Sequence, residues 1–187
     1  MSRRFHLENQ IYFVTSKTFN NKKVFSEKKN CLLFLKVLEG YRGKYKFQLF
    51  GYVVMPDHVH LLIQPSEGMT ISEIIHRIKG SFAYRYLMVR NHKGSATRDD
   101  NIIKRVADPL WVGAKRQRIR EHPVWQKSFY DHLIRNDKDF QEKLDYIHKN
   151  SLKHNVVSNL DEYLWSSYQN YYLENNSLIK IDTISLS

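Results

Sequence analysis

Cysteine is almost absent from this chain: Cys31 stands alone, inside the apolar run Cys31-Leu32-Leu33-Phe34-Leu35. A single thiol excludes an internal disulfide and any cysteine-based zinc cluster, and it suits a reducing cytoplasm. Long apolar runs are missing too. No stretch approaches the roughly 20 residues a membrane-spanning helix needs, and the opening Met1-Ser2-Arg3-Arg4-Phe5-His6 lacks the apolar core of a secretory signal. The expectation is a cytoplasmic protein with no membrane partner. The seven glycines form no phosphate-cradling loop, so no nucleotide-hydrolysing motif is visible. Acidic residues are outnumbered, with 19 Asp and Glu against 30 Lys and Arg, for a net charge of +11. A chain this basic points to a polyanionic partner, of which nucleic acid is the commonest.

What is present reads as one globular domain. Hydrophobic residues make up 42% and aromatics 13% of 187 residues, enough for a core without staples. A strand is expected from Ile11 to Thr18, then a helix capped by Ser26 and running to about Tyr41. Phe47 to Val54 reads as a second strand, Met55-Pro56-Asp57 as a turn, and His58 to Gln64 as a third strand. Thr70 with Glu73 has capping-box spacing and opens a helix whose stripe is Ile71, Ile74, Ile75, Ile78 and Phe82. Residues 91–123 break the pattern as a basic insertion that holds the run Lys115-Arg116-Gln117-Arg118-Ile119-Arg120. Val124 to Ile134 reads as a fourth strand, Asp137 as the cap of a last helix to about Asn150, and a tail begins near Val156. This order predicts an α+β fold, a ferredoxin-like sandwich with one antiparallel sheet and its helices on one face.

Two constellations carry chemistry. Alternation along a strand turns His58 and His60 to one face and Val59 and Leu61 to the other. Paired neutral imidazoles make half of a divalent-metal site. In the last helix, Phe140, Leu144 and Ile147 form the buried stripe. Tyr146 falls roughly 120° from Phe140, and Asn150, four residues on, shares its face. Tyr130 is a second candidate nucleophile, alternating with His132 on its strand; the competing assignment is a cross-strand packing residue.

The runs Gly51-Tyr52-Val53-Val54-Met55-Pro56-Asp57-His58-Val59-His60-Leu61, Val124 to Asn136, Leu144 to His154 and Glu162 to Tyr168 together resemble the single-tyrosine transposases, and within them the REP-associated tyrosine transposases. The resemblance runs from about Phe5 to Tyr172, except for residues 91–123; Ser151 stands where the family often has proline. It implies His58, His60 and Asn150 as ligands of Mg²⁺ or Mn²⁺ and Tyr146 as a nucleophile that forms a 5′-phosphotyrosine bond to single-stranded or hairpin DNA. It leaves monomer and homodimer open. Lys153, rather than His148, is the expected neighbour of Tyr146. Lys79, Lys115, Arg116, Arg118, Arg135 and Lys153 are candidate phosphate contacts. One rival is a non-enzymatic single-strand-binding protein on the same fold, which explains the charge and the aromatics but leaves His58, His60 and Asn150 without a reason; the other is a metal-dependent hydrolase that uses water and forms no adduct.

Overall fold

A computed structural model describes residues 10–91, 123–173 and 178–183. The basic run at 115–120 lies outside them. Four strands, β1 (Tyr12–Lys17), β2 (Gln48–Val54), β3 (His58–Gln64) and β4 (Tyr130–Leu133), form one sheet in the order β2-β3-β1-β4. Every neighbouring pair is antiparallel. That order is ferredoxin-like, with β1 and β3 side by side at the centre.

The helices α1 (Lys28–Tyr45) and α2 (Ile71–Asn91) cover one face. Tyr12, Val14, Leu49, Tyr52, Val54, Val59, Leu61 and Ile63 meet them there, with Phe25, Phe34, Phe82 and Trp125 at the centre. The expected stripe of α2 is buried throughout. Its capping box is reciprocal: the Thr70 N–H donates to Glu73 Oε2 at 3.0 Å, and the Glu73 N–H donates to Thr70 Oγ1 at 3.2 Å.

The expectation that helices occupy one face is corrected by α3 (Asp137–Lys153), which packs on the opposite face against β2 and β3. Phe13, Phe50, Val53 and Leu62 turn that way and enclose Phe140, Leu144 and Ile147 in a second core. Gly51 permits the close approach, since a Cβ there would stand 2.9 Å from Leu144 Cδ1. The sheet therefore carries two cores, and β3 is buried on both faces as a covered central strand should be.

Three boundaries move. The N-cap of α1 is Glu27, because Val24–Ser26 closes its own turn and buries Val24 and Phe25. The N-cap of α3 is Asn136, whose side chain accepts the Asp139 N–H, so Asp137 is already helical. The fourth strand is only Tyr130–Leu133. Trp125 keeps only an isolated bridge to Thr18, while its side chain enters the α1/α2 core, where its Nε1–H donates to Lys79 O at 3.1 Å.

The tail closes the free edge of β2. Ser166 bridges Val53, the Val54 N–H donates to Trp165 O at 2.8 Å, and the Ser167 N–H donates to Tyr52 O at 2.9 Å. The Tyr163 hydroxyl donates to Val54 O at 2.6 Å. An exposed strand edge is a liability for aggregation, and here the chain covers its own. A short helix, α4 (Tyr168–Tyr172), follows.

Candidate active site

Antiparallel register decides what surrounds the two histidines. Thr15 pairs with His60 and Lys17 with His58 across β1 and β3, so these four side chains share the α3 face. His60 Nδ1 lies 2.8 Å from Thr15 Oγ1, and His58 Nδ1 lies 2.6 Å from Asp57 Oδ1. A carboxylate only accepts, so His58 carries its proton on Nδ1 and turns a bare Nε2 inward. The two rings stand 4.8 Å apart, edge to face.

The other half of the site comes from α3. Asn150, fully buried, places Oδ1 3.2 Å from His58 Nε2. In the tautomer with the proton on Nδ1 alone, His58 Nε2 and Asn150 Oδ1 are both acceptors; the buried His60 Nε2 and Asn150 Nδ2 have no hydrogen-bond partner among the described residues. Buried polar atoms are seldom left this way unless a ligand completes them. Two imidazole nitrogens and one amide oxygen form a donor set that fits a divalent cation. Among the described residues no group of three or more His, Cys, Asp or Glu could hold a metal ion, so an ion at the two histidines would have to take the amide as its third ligand. Burial above all, with Lys17 and Lys153 among the nearby basic groups adding to it, pushes His60 down to about 3. At neutral pH it is an uncharged imidazole, the form that can bind a metal.

Tyr146 stands beside this set. Its ring lies 5.2 Å from that of His60 and 5.8 Å from Phe13, both edge to face, and the residue is 37% exposed. Lys153 Nζ sits 5.0 Å from the centre of the Tyr146 ring. His148 points elsewhere. It is buried with Nε2 3.1 Å from Ser167 Oγ, ringed by Tyr168, Tyr171 and Tyr172, and burial pushes it down to about 4. It ties α3 to the tail.

The basic candidates separate. Lys153 is at the site. Lys79 is not: its Nζ donates to Gln126 O and Ser128 O, both at 2.9 Å, on the helix that packs against the opposite sheet face. Arg135 is exposed just before α3, fifteen residues from Asn150 and so about 20 Å along the helix axis. Lys115, Arg116 and Arg118 lie outside the described residues. Sequence reasoning missed Thr15 and Asp57, which hold the histidines, and Lys17, which is exposed beside them. Only strand register could have revealed Thr15 and Lys17. Asp57, adjacent to His58, was within reach of the sequence.

Two histidines on a strand and a tyrosine on a helix thus meet over one sheet. Residues 7–99, which hold β1 to α2 and the histidine pair, match the family described as "Transposase IS200 like". The chain is 32% identical over 124 residues to a candidate REP-associated tyrosine transposase of Haemophilus influenzae, covering 66% of this chain but 60% of that protein's length. It is 22% identical over 169 residues to the REP-associated tyrosine transposase of Escherichia coli K12, covering 89% of this chain and 81% of the relative. The solved structure of a REP-associated tyrosine transposase bound to a REP hairpin has the same fold, with a TM-score of 0.66, 18% identity, and coverage of 99% of this chain and 94% of that one. Over residues 7–99, just under half its length, the chain is similar to the IS200-like transposases, and over more of it to the REP-associated relatives. No helix among the described residues is long and apolar enough to cross a membrane.

Proposed function

We propose that this protein cuts and rejoins single-stranded DNA next to a hairpin, with Tyr146 as the attacking group. The observation that carries this is the meeting of two sequence-distant halves: Tyr146 beside His60, and Asn150 Oδ1 against His58 Nε2. A strand-binding protein without chemistry would have no use for a buried, incompletely bonded cluster of two imidazoles and an amide. The hairpin is inferred from the relatives, whose names refer to REP elements, and from the hairpin in the structure of like fold.

His58, His60 and Asn150 would hold Mg²⁺ or Mn²⁺; nitrogen donors suit Mn²⁺ better. A cation bound there would supply positive charge to the scissile phosphate and help orient it. The chain's own residues do the rest. Thr15 and Asp57 fix the imidazoles, and the second core holds α3 against the sheet. Tyr146 Oη forms a bond to phosphorus as the bond to the 3′ oxygen breaks, giving a 5′-phosphotyrosine and a free 3′ hydroxyl. The phenol's proton leaves as Oη bonds to phosphorus, and the departing 3′ oxygen takes up a proton; Lys153, beside the Tyr146 ring, adds positive charge next to the phosphate under attack. The reverse attack by a 3′ hydroxyl reseals the strand, so no nucleotide is consumed. One chain contributes both halves, which supports action without a second copy.

Incubation of labelled hairpin DNA with the protein and Mn²⁺ should give an adduct that survives denaturation and is lost in Tyr146→Phe. Cleavage that persists in Tyr146→Phe, with no adduct, would instead establish hydrolysis by water.

A further inference from the structure

The face that carries the histidines is only partly roofed. The contacts of α3 with the sheet are chiefly to β2 and β3; it also reaches Phe13 of β1 through Tyr146 and His132 of β4 through Asp139, and the floor it leaves open is the start of β4 at Tyr130. Tyr130 lies on that floor. It pairs with Thr15, and Thr15 pairs with His60, so the three side chains form one row across the sheet. With strands about 4.8 Å apart, the Tyr130 backbone is roughly 10 Å from that of His60.

Tyr130 is 60% exposed. Among the described residues its side chain makes no hydrogen bond and no ring contact. A cross-strand packing residue would be covered, and a nucleophile would approach the histidines, where Tyr146 already stands. Three lysines border this face: Lys17 is exposed and in register with His58, Lys143 Nζ is 5.8 Å from the Phe13 ring centre, and Lys153 lies at Tyr146; the carboxylates there, Asp57 and Asp139, are each bonded to a histidine. An unpartnered aromatic face beside cations is the arrangement by which proteins hold single strands, with rings under bases and ammonium groups on phosphates.

We propose that Tyr130 is the platform on which a base flanking the cleaved phosphate stacks, with Lys17 holding the adjoining phosphate. This rests on the strand-cutting function above and assigns the groups that hold its substrate.

The experiment measures binding without cleavage, in protein carrying Tyr146→Phe. A hairpin is prepared with a fluorescent adenine analogue, which dims when stacked, at each position of its single-stranded flank in turn. One position next to the cleavage point should dim on binding. Adding Tyr130→Ala should abolish the dimming and weaken binding roughly 10-fold, within the range of one lost base stack. Tyr130→Phe and Tyr130→Trp should keep both. Tyr130→Ala binding as tightly as its parent, or Tyr130→Phe failing as badly as Tyr130→Ala, would overturn the stacking role. Failure of the unsubstituted protein to form an adduct with any hairpin would count against the strand-cutting function alone, since the dimming is read on uncut DNA.

Discussion

Thr15→Val changes one hydroxyl to a methyl at nearly constant volume, beneath the proposed ligands His58, His60 and Asn150 rather than among them. In the folded protein the hydroxyl is 2.8 Å from His60 Nδ1, and His60 is only 3% exposed, so water has little access to replace it. A buried nitrogen stripped of its partner costs about 1–3 kcal/mol. The ring can escape that cost by rotating or by moving its proton to Nε2, and either response removes the lone pair that a cation would use. Losing an outer partner of a metal-binding histidine typically weakens the metal 10–100-fold, or about 1.4–2.7 kcal/mol. Calorimetric titration of Mn²⁺ into DNA-free protein reads this directly, and Thr15→Ser should restore affinity because it returns the oxygen. Suppose instead that Thr15→Val bound Mn²⁺ within about two-fold of wild type while His60→Ala did not bind at all. Orientation of His60 by Thr15 would then be refuted, since the effect expected of an outer partner is larger.

Other outcomes follow from the same geometry. His60 and His148, held near 3 and 4 by burial, stay neutral in the folded chain while the unfolded chain takes up protons below about pH 6.5. Stability should therefore be fully present above that pH and fall as the pH drops towards 4, by up to about 1.4 kcal/mol per unit for each histidine; urea midpoints unchanged between pH 7 and pH 5 would contradict this. Ser167→Ala strands the Tyr52 N–H and His148 Nε2, so urea unfolding should show a loss of about 2 kcal/mol or more, and a neutral result would remove the clamp between α3 and the tail. Lys79→Met should lower stability by leaving two carbonyls without their donor, yet leave hairpin affinity unchanged; weakened DNA binding in a stably folded variant would return Lys79 to the list of phosphate contacts. Lys17→Ala should weaken hairpin binding and reduce its salt slope by about 0.7, the share of one phosphate contact on a single strand.

Much of this was readable before any coordinates. Period-two alternation set His58 and His60 on one face, and β3 begins and ends where that pattern does. Helical spacing set Tyr146 and Asn150 on a common side, and both turn to the histidines. Thr70 and Glu73 cap their helix as their spacing demands. All of these are local signals. What escaped was long-range. Periodicity tells which side of a helix is buried but not which face of a sheet it covers, so α3 opposite α1 and α2 could not be foreseen. Lys79 looks like any surface lysine until residues 47 and 49 positions away bring carbonyls to it. Ser166 and Ser167 are polar tail residues that become buried only by pairing with β2. Tyr130 was placed on the correct strand, but its exposure depends on where α3 lies.

The most direct measurement is peptide mapping of the protein–DNA adduct. After reaction with a hairpin and Mn²⁺, nuclease and protease digestion followed by mass spectrometry should find a nucleotide phosphate on the peptide that contains Tyr146, and on no other. A nucleotide on Tyr130 or any other residue, or strand cleavage with unmodified Tyr146 peptide under conditions that trap the adduct, would contradict the assignment.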